Sequence, residues 1–253
     1  MELFRSILAM MELEFIKIKH DRTELYTRAV QPILWLVVFG PIMGSIRAIP
    51  TGGIPYTSYI TPGVLIQSTT FISIFYGLTI VWERESGILK KLIATPASRY
   101  AIVIGRSMAS GIRAVFQIII IIPIALLIGV HFIPNLLYFL SSIIIIFFAS
   151  QGFAALSIAV ASIMKTRERF MGMGQVLTMP LFFASNALYP VKMMPLTMQY
   201  ISMFNPLSYQ VDALRGLLIS GDTSRIFVDI FAIAIFNLIT TTLASLNFKR
   251  IVE

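Results

Sequence analysis

The sequence contains no cysteine, so thiolate nucleophiles, disulfides and cysteine metal sites are excluded, and no trace remains of the redox compartment. Histidine occurs only twice, at His20 and His131, too few and too far apart for a metal centre. Charge is scarce as well: 13% of residues are charged against 57% hydrophobic, far more apolar surface than a soluble domain of 253 residues could hide. The chain therefore reads as an integral membrane protein. It also lacks a G-x-x-x-x-G-K-[ST] phosphate loop, an H-E-x-x-H pair, and paired carboxylates or a Ser-His arrangement at a spacing that would support hydrolysis. No cofactor is expected on this chain and no hydrolysis by it alone. A cleavable leader is not expected either, because the first apolar run long enough to span begins near Val30, behind many charges.

What charge there is lies unevenly. The net charge is +8, which could suggest nucleic acid, but the distribution argues for topology. Of the 20 basic residues, all but Arg47, Lys192, Arg215 and Arg225 fall before the first apolar run, around residues 84–113, at residues 165–169, or at the end of the chain. By the positive-inside rule these segments share the cytoplasmic side, both termini included. The basic excess then reads as orientation and as affinity for anionic lipid head groups, not as a nucleic-acid surface.

Hydropathy divides the chain into an amphipathic segment, residues 1–28, and a transmembrane domain, residues 29–253. In the first, Leu3, Phe4, Ile7, Leu8, Met11, Phe15 and Ile18 recur at steps of three and four between charges, which describes an interfacial helix too charged to span. Six spans are expected, at about residues 30–46, 56–82, 114–132, 136–164, 172–191 and 226–248. The second is expected to break at Pro62-Gly63, and it carries hydroxyls and an amide. Gln67, Thr70 and Ser73 are candidate path residues, although helix packing explains such groups as well. The third is expected to start beyond Arg113, since a charge at the bilayer centre costs roughly 2.5–3.5 kcal/mol. Residues 192–225 are too apolar for a water-exposed loop and too interrupted to span, and two short re-entrant helices in the outer leaflet fit them. There Asn205 can cap a helix with Pro206 in its first turn, and Asp212 and Arg215 stand one turn apart, able to pair. Asp229 is placed near the outer end of the sixth span, hydrated.

The densest charge sits in residues 82–99, WERESGILKKLIATPASR, between two apolar segments. Ile88, Leu89, Leu92 and Ile93 recur at helical spacing, and Glu83, Arg84, Glu85, Lys90 and Lys91 fill the remaining arc, as in a short amphipathic helix at a membrane surface. Thr95 before Pro96 ends it, and Ser98 can cap the next helix. On composition alone, an ordinary solvated loop accounts for this stretch equally well.

The order of the residues resembles something more particular. WERESGILKKLIATPASR is similar to the loop after the second span in permeases of the ABC-2 transporter family, of the daunorubicin-resistance kind, where an ERE element and a short helix dock on a separate ATPase. MPLTMQYISMFNPLSYQVDALRGLLISG likewise resembles that family's element before the last span, with a proline, NP-x-x-Y, an acid and an arginine in order. The resemblance implies an all-α membrane subunit of an exporter. Glu83, Arg84, Glu85, Gly87, Lys90 and Lys91 would form the ATPase coupling surface, while Asn205, Pro206, Tyr209, Asp212 and Arg215 would form an outer gate. ATP and magnesium would reside on the partner ATPase, and the permease would act as a homodimer or with a paired permease. A nearly uncharged path suggests a hydrophobic, drug-like or lipid-linked substrate. The alternatives are an ATP-independent channel or scaffold and, disfavoured by the lack of paired ionisable groups within spans, an intramembrane enzyme.

Overall fold

A computed structural model describes residues 2–20, 23–47, 49–87, 89, 98–164 and 166–248. Every regular element among them is helical, and five helices are long and apolar enough to cross a membrane. The expected short helix after the second span, with Lys90 and Lys91, lies outside the described residues apart from Leu89.

Helix α1, Glu2–His20, lies along helix α5, Arg99–Leu127. Helix α2, Thr23–Leu34, continues through a wide turn at Trp35–Phe39 into α3, Gly40–Ile46. The widening has a local cause: Pro41 has no N–H to give to the preceding turn, and the Gly40 N–H reaches back to the Trp35 carbonyl instead. Gly40 faces α4, where a Cβ would meet Thr57 at 3.2 Å, whereas one at Gly44 would stand 3.7 Å from Tyr56.

Helix α4, Tyr56–Glu85, runs unbroken through Pro62. The expected break at Pro62-Gly63 is therefore corrected. Pro62 removes the one N–H that would have bonded the Ser58 carbonyl, a loss that membrane helices tolerate, and Gly63 serves close approach: a Cβ there would lie 2.6 Å from the Ala187 carbonyl oxygen.

Helix α5 begins at the expected Ser98 cap, whose hydroxyl accepts the Ala101 N–H at 3.2 Å, and runs as a single helix through the charged segment into the expected third span. It ends at Leu127, short of Phe132, as the chain turns through Gly129 at φ 91°. Its Arg106 and Arg113 each meet a carboxylate from another helix. Helix α6, Leu136–Ile163, matches the expected fourth span and is the central post, packed against α4, α5 and α10, Ile226–Asn247. Small residues make this approach close. Ala149, Ser150, Gly152, Ala154 and Ala155 of α6 are all buried, and a Cβ on Gly152 would overlap Asn237 of α10.

Helix α7, Arg167–Phe183, begins at a Thr166 cap and has 17 residues. The expected fifth span, residues 172–191, was thus set too far along the chain. The residues after Phe183 form turns, and Tyr189 ties them down by donating to the Phe183 carbonyl. Two short helices follow, α8 at Leu196–Phe204 and α9 at Pro206–Arg215, then a wide turn at Gly216–Ser220. Asp229 is a further correction: it is 2% exposed, packed inside rather than hydrated.

Candidate functional site

Polar chemistry gathers at three levels of the bundle. The first is the end where α4 stops. Glu83, Arg84 and Glu85 occupy its last turn, Ser86 caps it, and Gly87 leaves it at φ 75°, a left-handed conformation that a side chain would strain. Each charged residue of this turn grips a different part of the fold. Glu83 pairs with Arg106 of α5 at 2.6 Å, and Arg84 donates to the Met164 carbonyl at the end of α6, also at 2.6 Å. Glu85 pairs with Arg167 of α7, whose guanidinium stacks 4.3 Å above the Trp82 ring. The acid-arginine-acid run is thus a three-way strap from α4 to its neighbours.

Beneath the strap lies an ion pair that sequence reasoning missed. Glu14 of α1, 2% exposed, pairs with Arg113 of α5 and accepts from the Tyr76 hydroxyl of α4 at 3.2 Å. Arg113 also lies over the Tyr76 ring, 5.7 Å from its centre. The N-terminal helix is therefore fastened to the bundle by a buried charge, beyond what interfacial anchoring requires. The available signal was Glu14 sitting between Met11 and Ile18 on the apolar side of an otherwise amphipathic pattern.

The middle level holds the candidate path residues, which separate. Ser73 meets Ser150 of α6 at 2.7 Å, and Ser150 meets Ser110 of α5 at 2.9 Å, so Ser73 belongs to a three-helix hydroxyl contact. Gln67 Oε1, Ser68 Oγ and Thr70 Oγ1 are buried with no hydrogen-bond partner among the described residues. Gln67 and Ser68 line a recess between α2 and α4, while Thr70 faces α7.

The third level is the opposite end. Asn205 caps α9 through the Leu207 N–H at 3.0 Å and donates to the Leu181 carbonyl at 2.6 Å, and Pro206 opens the helix. The Tyr209 hydroxyl donates to the Met203 carbonyl at 2.6 Å, so Asn205, Pro206 and Tyr209 shape the corner between the two short helices. Asp212 and Arg215 do pair, at 3.4 Å, and they converge on two residues not anticipated. Asn186 donates to Asp212, and Arg215 donates to the Asn186 carbonyl at 2.7 Å and lies 4.0 Å above the Tyr59 ring. Burial pushes the Asp212 carboxyl above its ordinary range, against the pull of Arg215 and Arg225. Burial likewise lowers the Arg215 guanidinium. The signal for Asn186 was a lone amide in the run SNALYPV.

Among the described residues no group of three acidic, histidine or cysteine side chains could hold a metal ion. The arrangement is that of a helical membrane protein whose charges sit in two layers, one fastening several helices at each end. Comparison with known proteins makes the class definite. The ABC-2 type transporter family profile matches residues 5–219, and the chain belongs to that family of membrane permeases. Among its relatives, "Putative transport permease ycf38" of Cyanophora paradoxa is 28% identical over 205 residues, covering 80% of this chain and 70% of that protein. "Probable doxorubicin resistance ABC transporter permease protein DrrC" of Mycobacterium tuberculosis is 27% identical, covering 76% of this chain and 69% of its own length. "Probable multidrug ABC transporter permease YbhR" of Escherichia coli is 27% identical, covering 64% of this chain and 44% of that protein.

Proposed function

We propose that this chain is the membrane subunit of an ATP-driven exporter in the cytoplasmic membrane, moving a hydrophobic, drug-like or lipid-linked substrate. Two such chains, or this one with a paired permease, work with two separate ATPase subunits that carry ATP and magnesium. Helix α7 counts as the fifth crossing and brings the total to six, since its 17 residues at about 1.5 Å each come close to the ~30 Å hydrocarbon core. Both termini, the strap and residues 88–97 are then cytoplasmic.

The observation that carries this reading is the strap at the end of α4, in a chain of this family. A push on the segment after Gly87 is delivered through Glu83, Arg84 and Glu85 to α5, α6 and α7 together, so the bundle responds as a packed two-state body. Asp212, Arg215, Asn186 and Tyr59 hold the far end shut until that movement reaches them. The relatives named for multidrug transport and doxorubicin resistance support a hydrophobic substrate.

The test is Glu83→Lys with Glu85→Lys in proteoliposomes containing the ATPase. Transport is expected to fall at least tenfold while the complex still assembles and hydrolyses ATP. Exchanging the partners, Glu83→Arg with Arg106→Glu, is expected to restore part of it. Wild-type transport in the double lysine variant would remove the coupling claim.

A further inference from the structure

Between α6 and α10, from the wide turn at Gly216–Ser220 to the middle of both helices, runs a groove of about 470 Å³. Leu217 of that turn stands at one end, and Ile144, Phe148 and Ile230 form part of its walls. All three wall residues are exposed, so the groove is open along one side. Among the described residues, none that lines it is charged. Sites for drug-sized molecules run to about 300–1,000 Å³, so this groove has room for a whole small molecule.

Two amides lie at the other end. Asn237 is already engaged: its Nδ2 donates to the Phe148 carbonyl at 3.0 Å, and its Oδ1 is packed against Gly152, where a Cβ would overlap it. Gln151 is only half engaged. It is 8% exposed and its Nε2 donates to the Thr241 hydroxyl oxygen at 3.0 Å, but its Oε1 takes no hydrogen bond from any described residue and is not sealed from contact. An amide oxygen left unmatched among apolar side chains is unfavourable, so the groove calls for a donor. Gln151 stands near the middle of the 28-residue α6, about 20 Å from each end at ~1.5 Å per residue. At that depth a phospholipid offers only hydrocarbon, because its donors stay with the head group. We propose that the groove binds an uncharged hydrophobic molecule of drug size that carries a hydrogen-bond donor, such as a hydroxyl, and that this donor meets Gln151 Oε1. A charged ligand does not fit, since no lining residue would offset its loss of water. The site goes beyond the exporter reading and does not rest on it, because binding on this flank is independent of whether the molecule is carried across.

The experiment uses the full chain in proteoliposomes without ATPase or ATP, so it stands whatever the coupling test above returns. The probes are 4-(hydroxymethyl)benzophenone, which carries a donor, and its methyl ether, 4-(methoxymethyl)benzophenone, which does not. Both crosslink to nearby C–H bonds on irradiation, and peptide mass spectrometry locates the label. A site built around an acceptor rejects the analogue that lacks the donor. In wild type the alcohol is expected to label residues 141–151 and 226–237 saturably, half-maximally at a concentration at least tenfold lower than the ether. Gln151→Leu is expected to erase that preference while leaving ether labelling in place. Ile230→Trp fills the open side without touching the amide, and it is expected to cut labelling by both probes at least fivefold. Equal labelling by alcohol and ether in wild type would show a greasy cleft that takes any acyl chain, and would overturn the proposal. A preference that survives Gln151→Leu, or labelling unchanged in Ile230→Trp, would overturn it as well. Should Gln151→Leu fail to assemble, the wild-type comparison and Ile230→Trp decide between them.

Discussion

At the residue scale the decisive feature is charge neutralised inside the bundle. Glu14 and Arg113 are 2% and 9% exposed, so removing one leaves the other buried without its counterion, at a cost of roughly 3–5 kcal/mol. Glu14→Ala is therefore expected to lower the melting temperature sharply. Glu14→Leu with Arg113→Met should recover most of the loss, since the pair's attraction is largely offset by its desolvation. A double variant as unstable as Glu14→Ala would contradict this account. Asp212 and Arg215 behave differently because the Asp212 side chain is 36% exposed. Arg215→Gln is expected to cost less, roughly 1–2 kcal/mol near neutral pH, because solvent screens the remaining carboxylate. Its pH dependence has a definite sign. Burial already raises the Asp212 carboxyl, and losing Arg215 raises it further. A raised acid contributes stability while protonated and loses it as pH rises through its folded value. The gap between Arg215→Gln and wild type should narrow from pH 7.5 to pH 5 in thermal unfolding; a gap independent of pH would show that Asp212 is not the group released.

At the scale of elements, glycine spacing decides how closely helices lie. Gly63→Val on α4 is expected to cost at least about 1–3 kcal/mol, because the Ala187 backbone 2.6 Å from the new Cβ cannot swing aside. Gly44→Ala, with its nearest neighbour at 3.7 Å, should be nearly neutral, and comparable losses at both sites would refute the packing argument. These positions also show what was legible in advance. Helices α6 and α10 were readable almost to the residue, since uninterrupted apolar runs leave nothing else for the backbone to do. The Asn205 and Ser98 caps and the Asp212–Arg215 pair were readable because they are local. In helix α5 the Ser98 start was readable, whereas the pairing of Arg106 and Arg113 with Glu83 and Glu14 was not, because those acids are distant in sequence. Helix α7 was misplaced because its end is set by tertiary turns around Asn186, not by hydropathy. The Pro62-Gly63 pair was read as a break when the glycine serves a neighbour that spacing cannot reveal.

At the scale of the whole molecule, the exporter reading puts the two charged layers on opposite sides of the membrane, an assignment that can be tested directly. The chain has no cysteine, so a single engineered thiol reports without background. Ser86→Cys is expected to react with an impermeant maleimide only after the membrane is opened, and Ser224→Cys in sealed cells. Reaction of Ser86→Cys from outside would invert the topology and the proposed coupling with it.

The contact between Glu14 and Arg113 joins residues 99 positions apart in the chain, and this sets an order of assembly. During synthesis the acid emerges long before its arginine, so the first helix cannot make this contact while α2, α3 and α4 are being made. Only when α5 arrives can the opening segment latch. A nascent chain halted before residue 113 should leave that segment open to protease, and one halted well beyond it should not.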